Sequence, residues 1–508
     1  MAAPTSSSSF PPLHSIPPAL RPLVRAYLLG YASAVLPRLL TLVLQHLSHR
    51  KRTPQDYAPP PSPQHRDDKN LSASCKHVLK TALHPCRFPT FCAALVGGST
   101  LLQIPLHKII TRAANRLGST WQRRLTRSLA SFIAAWLSLQ LLQAKEAPPP
   151  RRRAASATAT ATARHGRVDP LKGRQKLAGR TIDLTLFAAT QAVDVVVGEL
   201  WARHKWRRQA AGTWTKAETL ISAMTDPVSF VASSALIMWA WCYAPSRLPR
   251  AYNKWITSAA QVDIRLIEAL RRCRNGDICY AKDTGQAPLL GTMCTEYNLP
   301  YEWGDPAKSI PFPCDIVHMG RGPSCEYHAW RRFWLSWTWA MYTYLPLTLA
   351  LQLRKPSSSH HDTVKRIKAA LLSACRSSAF LGTYIALFYY GVCLGRTRLG
   401  PRLLGKDPEA RQRLDSGYCV GAGCFLCGWS VLIETARRRR DMALFVAPRA
   451  MATLLPRRYP LEMQWRETLA FAASTAVVFT CAMEKPNRVR GMLGGLLSVT
   501  MRGGLPVL

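Results

Sequence analysis

Four residues able to ligate a metal stand close together in one short stretch: Cys314, His318, Cys325 and His328, spaced C-x3-H-x6-C-x2-H. Thiolates and imidazoles at short spacing can build a tetrahedral zinc site. The spacing matches no common zinc finger. Two other outcomes stay open. One is a disulfide, if this face meets an oxidising compartment, and the other is a cap with neither metal nor bond. Pro311, Pro313, Gly320, Gly322 and Pro323 predict a tight loop around the four residues. A Cys–His pair can also begin a nucleophilic site, but the sequence offers none of its other parts. It has no paired-His box, no nucleophile elbow and no nucleotide loop, so the expectation is that the chain is not an enzyme.

A second candidate site rests on two charges. Asp194 lies inside the apolar stretch 184–200, and Arg449 follows Pro448 inside 441–456. A charge at the centre of a membrane helix costs roughly 2.5–3.5 kcal/mol. Each segment could lie along the membrane surface, or its charge could face a polar interface where substrate or lipid would meet it. Asp183 and Asp441, by contrast, sit at helix starts, where a carboxylate complements the helix dipole.

These residues must be held by something. The chain has 508 residues, with 68 Lys+Arg against 28 Asp+Glu, a formal charge of +40. Apolar residues make up 48%, too many for a chain disordered throughout. Mean hydropathy is −0.05, but the charges are clustered. Seven mainly apolar windows contain no Asp, Glu, Lys or Arg: 88–106, 128–144, 227–246, 333–353, 377–395, 416–433 and 468–483. A bilayer core needs roughly 20 such residues per helix. The windows lack the alternation of a barrel strand, so helices are expected. Residues 26–48, 184–200 and 441–456 read as three further helical elements, each with charge inside. A soluble nucleic-acid binder fits the charge but not the windows, and no nucleic-acid partner is expected. Arg151–Arg153 and Arg437–Arg440 flank apolar elements, so anionic lipid headgroups are the nearer partner, with membrane proteins as further candidates.

The chain also reads as a duplication. Leu-Thr-Leu-Val-Leu-Gln at 40–45 recurs as Leu-Thr-Leu-Ala-Leu-Gln at 347–352, each after a Leu-Pro pair, Leu36-Pro37 and Leu345-Pro346. Cys86-Arg87 and Phe91 echo Cys375-Arg376 and Phe380, and Phe132 and Trp136 echo Phe425 and Trp429. Asp183 and Leu186-Phe187 echo Asp441 and Leu444-Phe445. Ala232-Ser233, Pro245 and Arg247 echo Ala473-Ser474, Pro486 and Arg488. The matches are colinear. The expected fold is therefore an all-α, polytopic helical membrane protein with about five helical elements per half. Residues 20–250 form the first half and 331–505 the second, with a Cys-rich insert, 251–330, between them. Residues 1–19, 49–70 and 145–170 are rich in Pro, Ser, Ala or Arg and read as disordered. Five spans per half would make the repeats inverted in the membrane. Basic residues flank the elements on both sides of any arrangement, so charge does not set the orientation.

Pro313-Cys314, His318 and Pro323-Ser324-Cys325, followed by the Leu345-Pro346 helix, resemble the cysteine-rich start of the transmembrane protein 135 family. The small-residue helices and the Arg488-Val489-Arg490-Gly491 ending resemble that family's C-terminal region, itself similar to mitochondrial inner-membrane import translocases and related peroxisomal membrane proteins. The resemblance is best over 314–505. It differs in that a whole half precedes the Cys-His motif. It implies a multi-spanning protein of mitochondria or peroxisomes, linked to lipid handling and organelle dynamics, with no known catalytic residue. Lipid or metabolite movement, or membrane organisation, is the leading expectation. A translocase-like or assembly subunit that binds protein partners is the alternative.

Overall fold

A computed structural model describes residues 16–50, 71–113, 116, 118–144, 177–353 and 360–501. Nearly all of the expected disordered stretches, and Arg151–Arg153, lie outside them. Among the described residues the fold is all-α apart from two two-residue strands. In chain order the main helices are α1 (Arg21–Arg50), α2 (Leu71–Ala82), α3 (Phe88–Leu101), α4 (Gln103–Ala113), α5 (Ser119–Gln143), α6 (Ile182–Ala210) and α7 (Lys216–Tyr243). The insert carries α8 (Arg250–Ala260), α9 (Ile264–Asn275), α10 (Ala287–Glu296) and the single turn α11 (Cys314–Val317). Then follow α12 (Cys325–Leu353), α13 (His360–Leu394), α14 (Gly400–Leu403), α15 (Pro408–Arg413), α16 (Cys419–Cys427), α17 (Ala436–Leu454), α18 (Gln464–Glu484) and α19 (Gly491–Met501). Strand β1 (Leu177–Ala178) pairs antiparallel with β2 (Tyr459–Pro460).

Among the described residues, seven helical stretches are long and apolar enough to cross a membrane: Pro18–Leu42, Phe88–Ala113, Ser119–Gln143, Ile182–Ala210, Lys216–Tyr243, His361–Leu403 and Pro408–Ile433. Five of them contain uncharged windows. The other two are the elements around Arg38 and Asp194, whose charges do not outweigh their apolar neighbours. The windows 333–353 and 468–483 do form helices, α12 and α18, but fall short in apolarity. Trp, Tyr and Ser dilute the first; Arg466 and Glu467 shorten the second. Large apolar side chains on the candidate spans point outward, among them Leu137, Val193, Val197, Leu220, Ile221 and Leu372. Lipid accepts large apolar side chains exposed along helices of this length and composition.

Contacts divide the chain into two compact units. One runs to Arg203 and resumes at Arg458; the other is His204–Arg457. In the first unit α1 packs on α3, α3 on α5, and α5 on α18. Small residues bring these helices together. A Cβ on Gly97 would fall 2.7 Å from the Leu23 side chain, and one on Gly98 would fall 3.1 Å from Ala134 Cβ. The core joins Phe91, Ala135, Leu139, Phe471 and Ala472. Beside it, Thr181 donates to the buried Glu467 carboxylate at 2.5 Å, and Thr185 and Tyr459 donate to the same group. One carboxyl group therefore gathers three hydroxyls, and these hydrogen bonds are what make its burial tolerable.

In the second unit α12 packs on α13, α13 on α16, and α16 and α17 on α7. Gly391 and Gly423 give α13 and α16 their close approach: a Cβ on Gly391 would lie 2.7 Å from Gly423 Cα. Helix α7 begins with a capping box, Thr215 Oγ1 accepting from Glu218 N while Glu218 accepts from Thr215 N. The insert has its own small core of Cys273, Ile278, Leu290, Met293, Cys294 and Ile316. Asp263 caps α9, and Gly276, at φ +85°, ends it in the left-handed conformation that glycine adopts without strain.

Candidate metal centre

The Cys-His stretch starts with a proline-set turn. Pro313 leads into α11, and His318 closes it, its N–H donating to Cys314 O at 2.8 Å. Three residues then take positive φ: Met319 (+56°), Gly320 (+70°) and Gly322 (+90°). The reversal carries Gly322 O back to His318 Nδ1, 2.7 Å away. Only glycine suits position 320, because a Cβ there would also meet Tyr297 at 3.0 Å. Ser324 then caps α12, its Oγ accepting from Tyr327 N at 3.2 Å. Cys325 is thereby placed in the first turn of a long helix.

The outcome is a convergent set. The ligand atoms of Cys314, His318 and Cys325 all lie within 4.8 Å of one another, a cluster of two thiols and one imidazole able to coordinate a metal ion. His318 is fully buried, and burial pushes its pKa down, so the imidazole is held neutral as a metal ligand requires. Burial pushes the Cys314 thiol up to about 11, with Arg396 pulling the other way. A bound cation would reverse the effect of burial on that thiol. The fourth residue of the sequence pattern, His328, is buried as well, but its ring stacks on His318 with centroids 4.4 Å apart and planes 14° apart.

Near this cluster lies a feature that sequence reasoning missed. Arg396 and Asp415 form a buried bidentate ion pair, Nε to Oδ1 at 2.8 Å and Nη2 to Oδ2 at 3.0 Å. Each residue sits in a π-helical turn, Gly395–Leu399 and Leu414–Tyr418. A π-turn adds a residue to the helix and swings a side chain off its regular face. Tyr280 of the insert donates its hydroxyl to Asp415. Gln412 completes the latch: its Nε2 donates to Cys273 O and Ile278 O at 3.0 and 2.7 Å, and its Oε1 accepts from Tyr280 N at 3.0 Å. Arg396 read as one more member of a basic run, 396–413. The available signal was an Arg and an Asp of opposite sign, each abutting the end of an uncharged window.

The second candidate pair is placed in two separate environments. In the first unit, Arg490 grips the Asp194 carboxylate with Nε at 3.0 Å and with Nη2. In the second, the Arg449 guanidinium lies over the Phe445 ring, 3.6 Å from its centroid, and 5.8 Å from that of Tyr252. Comparison of the chain with protein-family models, with curated proteins and with solved structures gave no match.

Proposed function

We propose that this is a multi-spanning organellar membrane protein, non-catalytic, that acts in lipid or metabolite movement or in organising a mitochondrial or peroxisomal membrane. The observation that carries the membrane part is the set of seven candidate spans with apolar side chains facing outward. The organelle and the lipid role rest on the resemblance of residues 314–505 to the transmembrane protein 135 family. Zinc held by Cys314, His318 and Cys325 would fasten the insert to the helices.

The proposal includes an internal duplication in which the fifth helices change places. Phe91 and Phe380 are equivalent in the repeat. Phe230 and Phe471 precede the equivalent Ala232-Ser233 and Ala473-Ser474 pairs by the same two residues. In the first unit Phe91 meets Phe471 at 6.0 Å; in the second Phe380 meets Phe230 at 5.9 Å. Equivalent rings therefore make equivalent contacts, but each with the other half's last helix. Two more pairs of features support it. Phe132–Trp136 and Phe425–Trp429 are ring pairs at similar separation, 6.0 and 6.2 Å, the first stacked and the second edge-on, and Pro245–Arg247 and Pro486–Arg488 are both 3-10 turns.

A translocase-like or assembly subunit is the second reading, favoured by the distant likeness of the C-terminal helices to import translocases. The deciding experiment images the tagged chain against mitochondrial and peroxisomal markers and extracts the same membranes with alkaline carbonate. Carbonate-resistant signal on either organelle is expected; a soluble or nuclear signal overturns the reading. Asp194→Ala and Arg449→Ala then test the polar positions. If both leave lipid and metabolite phenotypes intact, these residues have no part in movement. A stable complex carrying precursor proteins would favour the second reading.

A further inference from the structure

A closed structural zinc site has four protein ligands, and Cys314, His318 and Cys325 supply three. The spacing of the sequence offers His328 as the fourth. The geometry does not bring it in. A metal bound to an imidazole lies in the plane of that ring. His318 and His328 are stacked face to face, so no single ion can lie in both planes. His328 also meets Tyr389 edge-on, with ring planes 81° apart, so its ring is packed between two others.

A different residue lies beside the three-residue cluster, in contact with His318. Cys393, in the last turn of α13 and buried, places its Sγ 3.4 Å from His318 Nε2. Its thiol also interacts with that of Cys325. His318 Nδ1 faces Gly322 O at 2.7 Å, which holds the N–H on that side and leaves the Nε2 lone pair for a metal. With Zn–S about 2.3 Å and Zn–N about 2.0–2.1 Å, tetrahedral geometry sets sulfur and nitrogen roughly 3.5 Å apart. The observed Cys393–His318 separation matches that edge.

We propose that Cys314, His318, Cys325 and Cys393 form a zinc site of three thiolates and one imidazole, with His328 outside it. This rests on the metal reading above and replaces its fourth ligand. Cys314 and His318 come from the insert turn, Cys325 from the start of α12, and Cys393 from the end of a candidate span. Zinc would thus pin the insert to the membrane-facing helices at the point where Arg396 and Asp415 already latch it. Three thiolates leave the site with one net negative charge, next to that arginine.

The test uses the full chain in detergent, purified with its native metal and then loaded with cobalt(II). The expected result is one zinc per chain and thiolate-to-cobalt charge transfer with tetrahedral d–d bands. Cys393→Ala should weaken zinc binding tenfold or more, and Cys393→His should restore it with weaker charge transfer. His328→Phe should keep one equivalent and an unchanged cobalt spectrum. Rescue by histidine separates ligation from folding, since a merely structural cysteine would not be replaced by imidazole. If His328→Phe empties the site while Cys393→Ala leaves it filled, this proposal fails and the original four-residue set stands. If Cys393→His fails to recover binding, the proposal also fails. If the wild-type chain holds no zinc under replete conditions, or alkylation shows a disulfide among the three cysteines, the metal reading falls with it.

Discussion

Phe91 of α3 and Phe471 of α18 face each other at 6.0 Å across most of the length of the chain. Phe380 of α13 and Phe230 of α7 meet at 5.9 Å. Under the proposed duplication, the last helix of each repeat is needed by the unit that holds the other repeat's first helices. A photocrosslinking residue at 91 should therefore capture the 464–484 peptide, and one at 380 the 216–243 peptide. Capture in the opposite sense would sink the exchange. Phe471→Ala, which empties a buried ring site, should cost about 3–5 kcal/mol. Hydrogen exchange should place that loss in α3 and α5.

The buried pair Arg396–Asp415 makes a second prediction. Its side chains are 6% and 4% exposed, so a lone survivor would be an uncompensated charge in a dry site. Asp415→Leu or Arg396→Leu alone should each cost about 3–5 kcal/mol. The double variant should recover more than half of that, because no charge is left behind. Thermal unfolding of the detergent-solubilised chain measures all three. Simple addition of the two single losses would show that the residues do not act as a pair.

Much of this architecture is written in the sequence because bilayers and helices impose simple rules. Uncharged runs of helical length found five of the seven candidate spans, and the insert stood out by its cysteines. Cys314, His318 and Cys325 converge because two prolines, two glycines and a Ser cap shape a local turn, and local turns leave local signals. Cys393 gave no such signal. It lies 68 residues beyond Cys325 in an apolar helix, where a cysteine reads as one more small hydrophobe. Arg396 and Asp415 were hidden for a related reason: the π-turns that aim them inward follow from packing, and helical periodicity cannot register an added residue. His328 has a spacing that suits a ligand, while its ring stacks on that of His318, a contact that no spacing rule registers.

The Gly391–Gly423 approach sets up a contrast between two glycines. Gly391→Leu would drive a side chain into α16, with Gly423 Cα 2.7 Å and Ala422 O 3.0 Å from its Cβ. Overpacking of this kind costs about 1–3 kcal/mol or more. Gly495, in α19, has nothing within 4 Å of an added Cβ. Gly495→Ala should be neutral, or stabilising by up to about 1 kcal/mol through helix propensity. Opposite signs in melting temperature are expected; equal losses would mean that α13 and α16 do not pack as described.

The insert should carry an acid-sensitive joint at Asp263. Its Oδ1 accepts from Arg265 N at 2.9 Å as the cap of α9, and Arg265 Nη2 reaches its Oδ2 at 2.7 Å. Arg265 holds the carboxyl below the usual carboxylate range, and the backbone hydrogen bond adds to the effect. A depressed pKa means that the folded state binds this proton less readily than the unfolded state. The stabilisation is then fully present above the unfolded value of about 3.9 and is lost as pH falls through the folded value. Hydrogen exchange of the 264–275 amides, corrected for intrinsic rates, should be flat from about pH 7 to 5 and should rise below about 4. Asp263→Asn keeps the cap but removes the titrating charge, so its profile should stay flatter through the same acid range. An unchanged acid rise in Asp263→Asn would assign the joint to some other carboxylate. Asp263→Ala removes cap and charge together and should loosen α9 by about 1 kcal/mol even at neutral pH.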